Sequence, residues 1–382
     1  MAEAGKAARH ALANAAFDRS PEVLAAHFHH WARVEAPPLG SPLYSELGYA
    51  ISVDDEMLAL AAHTRPGQPA PNNLFAAVHY LLLRGADHSL RRHYPFVSGS
   101  ERPLAPAWPE FRDFCLLHGE EIAGLIAERR TQTNAIRRSA VLRPAFARIA
   151  AEEGRPLALI ESGTSAGLNL LWDRFFIEYQ DPGGTRTTCG PPDAEVRLHA
   201  QWQGSVPDVQ STIAVAARSG IDIHPIDIDD EDAMLWLHAL IWPEHAERHV
   251  WLDGAVALAR RERPRVVRAD VLDVLAEEID AAPGDAVPVV FATLMLYQLA
   301  PEARLDLLRL LAQAGQRRDL WMLSMEPDGG GGCEVVAVRF GGGERTVHKF
   351  ADAHPHGWSL HWHDTDAARA ASAACSFWQR PV

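Results

Sequence analysis

The sequence predicts an α/β protein with an all-helical first part and a mostly parallel, doubly wound sheet in its second part. Three observations predict this. Residues 1–150 carry apolar side chains at helical spacing, interrupted by proline- and glycine-bearing stretches at 36–40, 65–69 and 98–109. From Pro156 onward, short apolar runs bounded by turn residues alternate with helical stretches, which is the pattern of a parallel sheet. The first of those runs, Leu157-Ala158-Leu159-Ile160, leads directly into the turn Glu161-Ser162-Gly163-Thr164-Ser165-Ala166-Gly167.

Taken in order, helices are expected over 7–16, 21–34, 73–83 (N-capped by Asn72 or Asn73), 111–129 and 139–152. Strands follow at 157–160, 221–228, 265–267, 287–291 and 320–324, with helices at 231–240, 245–260 and 302–314. The tail reads as antiparallel strands at 334–340, 345–350 and 358–363, with the glycines at 329–332 and 341–343 as loops or hairpin turns. Segments 175–179 and 196–202 break the alternation and suggest an inserted β-ribbon near 175–205. The organisation expected is a helical cap or substrate region over 1–150 and a sheet domain over 151–382.

Composition narrows the function. The 382 residues hold 36 Lys+Arg against 50 Asp+Glu, a net charge of −14, which argues against a nucleic-acid partner. No apolar run reaches the length of about 18 residues that suggests a membrane span, and the N-terminus lacks the apolar stretch of a signal peptide. Cys115, Cys189, Cys333 and Cys375 are widely separated and form no C-x-x-C, as expected of reduced thiols in the cytoplasm. A small-molecule substrate is the expected partner, and the oligomeric state is open.

The glycine-bearing turn suits two chemistries. In one it cradles a nucleotide-like ligand: Gly163 and Gly167 allow the backbone to bend and approach, and the amides of a following helix face the ligand. Glu161 closes the strand, so the pattern is E-x-G-x-x-x-G. This resembles motif I of the class I S-adenosylmethionine-dependent methyltransferases. The resemblance covers about residues 155–365 and implies a Rossmann-like methyltransferase-type sheet with strand order 3-2-1-4-5-7-6. It implies S-adenosylmethionine as cofactor, with Glu161, Gly163, Ser165 and Gly167 on its methionine side and Asn169 also binding it. Asp222 or Asp227 is available for ribose, with Asp227 the one assigned, and Asp270 and Val271 lie beside adenine. The fourth strand departs from that family, since Phe291-Ala292-Thr293-Leu294 carries neither an acid nor Asn-Pro-Pro. Glu326 and Tyr297 follow strands whose ends face the ligand crevice, and they are the catalytic candidates for orienting or deprotonating an acceptor. Each also reads as a structural residue, Glu326 as a turn-stabilising carboxylate and Tyr297 as a packed aromatic.

In the second chemistry Gly163-Thr164-Ser165-Ala166-Gly167 is the G-x-S-x-G elbow of a serine hydrolase, similar to lipases of the hormone-sensitive type. Ser165 is then the nucleophile, with Asp270 or Asp273 and His354 or His356 completing a triad. That fold places strands before the elbow, whereas helices are expected there. A ligand-binding protein without catalysis is the third reading. The whole chain is also similar to a bacterial family of unknown function, through Gly163 to Leu170 (GTSAGLNL), Trp172-Asp173-Arg174-Phe175 and Gln132-Thr133-Asn134.

Other polar clusters have plainer accounts. His361 and His363 share a strand face and could ligate zinc, but with His354 and His356 they read first as the polar side of a hairpin. No metal is expected. Asp173 and Arg174 are adjacent and are expected to pair with other elements rather than with each other. Gln132, Asn134, Arg137 and Arg138 form a polar seam before the sheet, placed to line a pocket.

Overall fold

The computed structural model describes residues 19–100, 106–205, 208–363 and 373–380. The helix expected at 7–16 lies outside these.

The sheet grows from β1 (Leu157–Ser162), whose six residues are all buried. An uninterrupted apolar run is what a strand covered on both faces requires. It pairs in parallel with β5 (Val215–Asp222) on one side and β7 (Val287–Thr293) on the other. β6 (Arg265–Arg268) extends the sheet beyond β5, and β8 (Leu320–Pro327) extends it beyond β7, again in parallel. The remaining strands are β2 (Phe176–Gln180), β3 (Arg186–Cys189), β4 (Arg197–Gln203), β9 (Cys333–Gly341), β10 (Glu344–Ala353) and β11 (Ser359–Trp362). One mixed, mostly parallel sheet of eleven strands results, in the order β3-β2-β4-β11-β10-β9-β8-β7-β1-β5-β6.

Three departures from the sequence reading have physical causes. First, β8, β9 and β10 form an antiparallel meander, so the last strands run in chain order rather than with the final strand inserted beside the fifth. Only residues 328–332 separate β8 from β9, far short of the dozen or so that a parallel crossover needs. Second, the expected ribbon is no separate appendage: β4 pairs in parallel with β11 and joins the insertion to the main sheet. Third, the strand expected at 221–228 ends at Asp222 and begins at Val215. Its first five residues, Val215-Ala216-Ala217-Arg218-Ser219, are partly buried or exposed and carry too little apolar character to stand out.

Helices also differ in detail. The expected helix at 111–129 is two, Trp108–Leu117 and Gly119–Glu128, broken at His118. The expected helix at 21–34 is an α-helix over Pro21–His30 followed by a π-turn, Trp31–Glu35. The helix expected at 73–83 starts earlier, at Ala70, because Pro71 sits in its first turn, where a missing N–H costs nothing. An unanticipated helix, Val271–Asp280, buries Val271, Leu275 and Ile279 on one face.

The chain divides into two compact units that do not follow chain order at residue 150. One contains Asn134–Ile228 and Asp253–Val382, the other Leu12–Thr133 and Asp229–Leu252. In the sheet unit, Ile160, Val290, Met322 and Val336 pack with Leu275, Leu307 and Leu311. In the helical unit, Tyr44 stacks on Phe75 at 4.2 Å within a cluster that includes Trp31 and Phe111.

Helix Arg138–Glu153 belongs to the sheet unit and carries Phe146, which stacks on Trp172 at 4.5 Å with the rings 2° from parallel. Trp172 is fully buried. Trp172→Ala is expected to lower the stability of the sheet unit by about 3–5 kcal/mol in urea denaturation. A loss under about 1 kcal/mol would show that the pair does not brace the segment after the turn.

Candidate functional site

The C-terminal ends of β6, β5, β1, β7 and β8 lie along one edge of the sheet. Chain order reverses at β1, since later strands are added on both of its sides. Open α/β sheets place ligand crevices at such a reversal.

The turn that leaves β1 is held entirely by hydrogen bonds. Gly163, Ser165 and Gly167 have φ of 75°, 56° and 75°. For Ser165 this left-handed conformation costs roughly 1–2 kcal/mol. Gly163 and Thr164 N–H donate to Ile221 O (2.8 and 3.2 Å), and Gly167 N–H donates to Thr164 O (2.8 Å). Ser165 N–H donates to Asp222 Oδ2 at 2.8 Å, while Asp222 Oδ1 accepts His224 N–H at 2.8 Å. Leu168 N–H donates to Asn134 Oδ1, and Ser139 Oγ donates to Asn169 Oδ1, both at 3.1 Å. The expected α-helix does not follow. A short 3-10 run, Leu168–Arg174, takes its place, buried from Leu168 through Trp172. Leu168, Leu170, Leu171 and Trp172 are apolar and Asn169 is hydrogen-bonded to Ser139, so this first part of the run sinks into the core.

The two bare positions are used for packing. A Cβ at Gly163 would sit 2.6 Å from Met295 Cγ, and one at Gly167 would sit 3.0 Å from Val266 Cγ2. The space in front of Gly163 is therefore taken by the Met295 side chain, not left as an open notch. Ser162 Oγ and Ser165 Oγ are buried and have no hydrogen-bond partner among the described residues. No imidazole is bonded to Ser165, and among the described residues no strand precedes β1.

Four ionisable groups, Glu161, Glu326, Tyr297 and Arg138, converge beside β1, β7 and β8. Glu161 is 1% exposed, accepts the Thr164 hydroxyl at 2.6 Å and also interacts with Asn169. Burial pushes its carboxyl up to about 8, and neighbouring Asp222 acts in the same direction. Glu326 accepts the N–H groups of Met295, Leu296 and Tyr297 at 3.0, 2.9 and 3.2 Å. Burial still raises it to about 7. It thus caps the turn Leu296–Gln298, which follows Leu294 in a left-handed conformation. Tyr297 is 42% exposed on that turn, and its phenol is raised by burial and by Glu326. Arg138 is 6% exposed and faces Cys333, Glu326, Tyr297 and Glu161.

The structure thus gathers Glu161, Gly163, Ser165, Gly167 and Asn169 at the turn, with Tyr297 and Glu326 beyond β7 and β8. Asp270 caps the helix after β6 by accepting Leu272 N–H at 3.0 Å, and Val271 is that helix's buried first residue. Asp227 is not at the strand end. It lies exposed on the loop past β5, and Asp222 holds the terminal position. The strand begins and ends earlier than its apolar residues suggest, which shifts the acid. Two participants had no signal of their own, Met295 before Gly163 and the amides that Glu326 caps. Asn134 and Arg138 had one, the polar seam ahead of β1, and both lie in the sheet unit.

Asp173 pairs with Arg218 at 2.6 Å, as expected of a partner from another element. Contrary to expectation, Arg174 Nε also lies 3.6 Å from the same oxygen. His363 pairs with Asp352 at 2.8 Å. Among the described residues no group of three or more His, Cys, Asp or Glu is arranged to hold a metal ion.

A family model described as "Uncharacterized protein conserved in bacteria (DUF2332)" matches residues 25–362. The chain belongs to this bacterial family. The DUF2332 match takes in residues of both units and all of the turn. No curated protein and no solved structure matches the chain. No described helix of this DUF2332 protein is long and apolar enough to cross a membrane.

Glu161 and Glu326 hold their protons more tightly in the folded protein than the ordinary glutamate value of 4.5 allows. Their contribution to stability is therefore full at acidic pH and falls as pH rises from about 4.5 through about 7 and 8. Urea midpoints are expected to decline across that window, and to decline less in Glu161→Gln. An identical slope in the variant would mean that Glu161 ionises normally.

Proposed function

We propose that this DUF2332 protein transfers a methyl group from S-adenosylmethionine to a small-molecule acceptor, on a Rossmann-like sheet. The observation that carries the reading is the run β6-β5-β1-β7-β8, with a glycine-bearing turn leaving its middle strand at the reversal. On one side of that turn, Asp222 ends β5 and Asp270 follows β6. These acids suit a ribose and an exocyclic amine. The buried, unpartnered hydroxyls of Ser162 and Ser165 supply further donors beside the turn. The residues fit the cofactor on one condition, that the Met295 side chain swings away from Gly163. An unbranched thioether does this more readily than any β-branched side chain.

The cofactor supplies an electrophilic methyl group. The protein's part is to bind and orient the acceptor, and proximity carries most of such catalysis. Tyr297, half-exposed at the end of β7, is the residue placed to touch an acceptor. Glu326 acts through it, because its carboxylate fixes the backbone that carries Tyr297. Ser165 lacks the histidine that a nucleophilic serine needs, so no observation favours the hydrolase reading.

Calorimetry with S-adenosylhomocysteine is the direct test. Heat is expected with wild type, none with Gly163→Arg, and tighter binding, by about threefold or more, with Met295→Ala. Absence of heat from both wild type and Met295→Ala removes the proposal. A fluorophosphonate probe is expected to leave Ser165 unlabelled. Labelling that disappears in Ser165→Ala would point to acyl transfer instead.

A further inference from the structure

We infer that Arg138 is the anchor for a carboxylate group on the acceptor, so that the substrate class is a small carboxylic acid. This deepens the methyl-transfer reading and rests on it for the word acceptor, though the anion site stands without it.

Arg138 is 6% exposed, and among the described residues its one side-chain hydrogen bond runs from Nε to Pro355 O at 2.9 Å. Among the described residues it forms no ion pair, while some twenty other ion pairs link charged residues elsewhere in the chain. Its terminal nitrogens carry no hydrogen bond among the described residues, which leaves the planar fork open to a ligand.

Its surroundings do not complete it. The groups that face it are Glu161, Glu326, Tyr297 and Cys333. Glu161 is committed to Thr164 and Glu326 to three backbone amides. Even beside Arg138, both carboxyls stay above the usual range, so neither supplies a full counter-charge at neutral pH. Tyr297 and Cys333 are neutral there as well, with their protons held by burial.

Position assigns the group to the acceptor side. Asp222 and Asp270 lie toward β5 and β6, on one flank of the turn. Glu326, Tyr297 and Cys333, the groups around Arg138, belong to the ends of β7 and β8 and the start of β9, on the other flank. The crevice edge is thus acidic on the side proposed for the nucleoside and cationic on the side left for the second substrate. Charge also selects the anion. One guanidinium flanked by two carboxyls that ionise near neutrality is balanced by a monoanion and overmatched by a dianion. A planar fork also matches a carboxylate in two-point contact.

The test is thermal denaturation of the full chain with acetate and benzoate, each against acetamide or benzamide, and with inorganic phosphate. At least one carboxylate is expected to raise the wild-type Tm by about 2 °C or more while its amide does not. The rise is expected to vanish in Arg138→Gln and to shrink in Arg138→Lys, which keeps the charge but not the fork. The inference is overturned if neither carboxylate raises Tm, if the rise survives in Arg138→Gln, or if phosphate raises it equally. S-Adenosylhomocysteine calorimetry on the same variants separates the two proposals. Heat retained in Arg138→Gln shows a folded cofactor side, so a lost carboxylate effect then belongs to Arg138. A carboxylate effect in a wild type that gives no heat would keep the anion site and discard methyl transfer.

Discussion

One carboxylate holds the site in shape. Asp222 ends β5 and accepts two backbone N–H groups, from Ser165 in the turn after β1 and from His224 in its own following loop. That clasp ties together the two strands whose ends define the reversal. It also compensates the left-handed backbone at Ser165, where a side chain is normally disfavoured. The clasp has a neighbour beneath it. Gly220 has no Cβ, and the Thr164 side chain occupies that space, with its Oγ1 2.6 Å from where a Cβ would be. Thr164 is thereby placed to donate to Glu161. The Thr164 hydroxyl favours the ionised form of Glu161, and burial outweighs it, so the carboxyl still holds its proton up to about 8.

The same edge concentrates charge that is not cancelled locally. Glu161, Glu326 and Arg138 are all nearly buried, yet no close ion pair joins them. In a low-dielectric setting the acids relieve their cost by keeping protons, an option that arginine lacks. A core built for stability alone would fill these positions with apolar side chains. Left-handed Ser165 and Leu294, at the ends of β1 and β7, add backbone strain at the same edge. Cost of both kinds is gathered at the strand edge where chain order reverses, and the apolar cluster of the sheet unit offsets it.

Legibility in the sequence followed burial. β1, β7 and β8 are covered on both faces, so their apolar runs stand out, and the reading found each of them. β5 is covered over only part of its length, and its reading slid toward the apolar residues beyond Asp222. β3, the four residues Arg-Thr-Thr-Cys of which only Cys189 is buried, gave no signal. The helix Val271–Asp280 has regular apolar spacing but starts within three residues of β6, so Asp270 reads equally as a strand-end acid and as the N-cap that it is. At the site, the turn and the polar seam around Asn134 and Arg138 were visible as residue types in a suggestive order. Their partners were not.

By itself, the sequence determined the helical first part, the alternation that builds a parallel sheet, and a tight bend after β1. Each rests on local rules: apolar spacing, turn chemistry and the freedom of glycine. Only tertiary structure decided that Met295 and Val266 fill the space beside Gly163 and Gly167, that Asp222 rather than Asp227 stands at the strand end, and that β4 reaches β11. These depend on register between segments up to about 160 residues apart. A shift of one residue there exchanges every neighbour while leaving the local pattern unchanged.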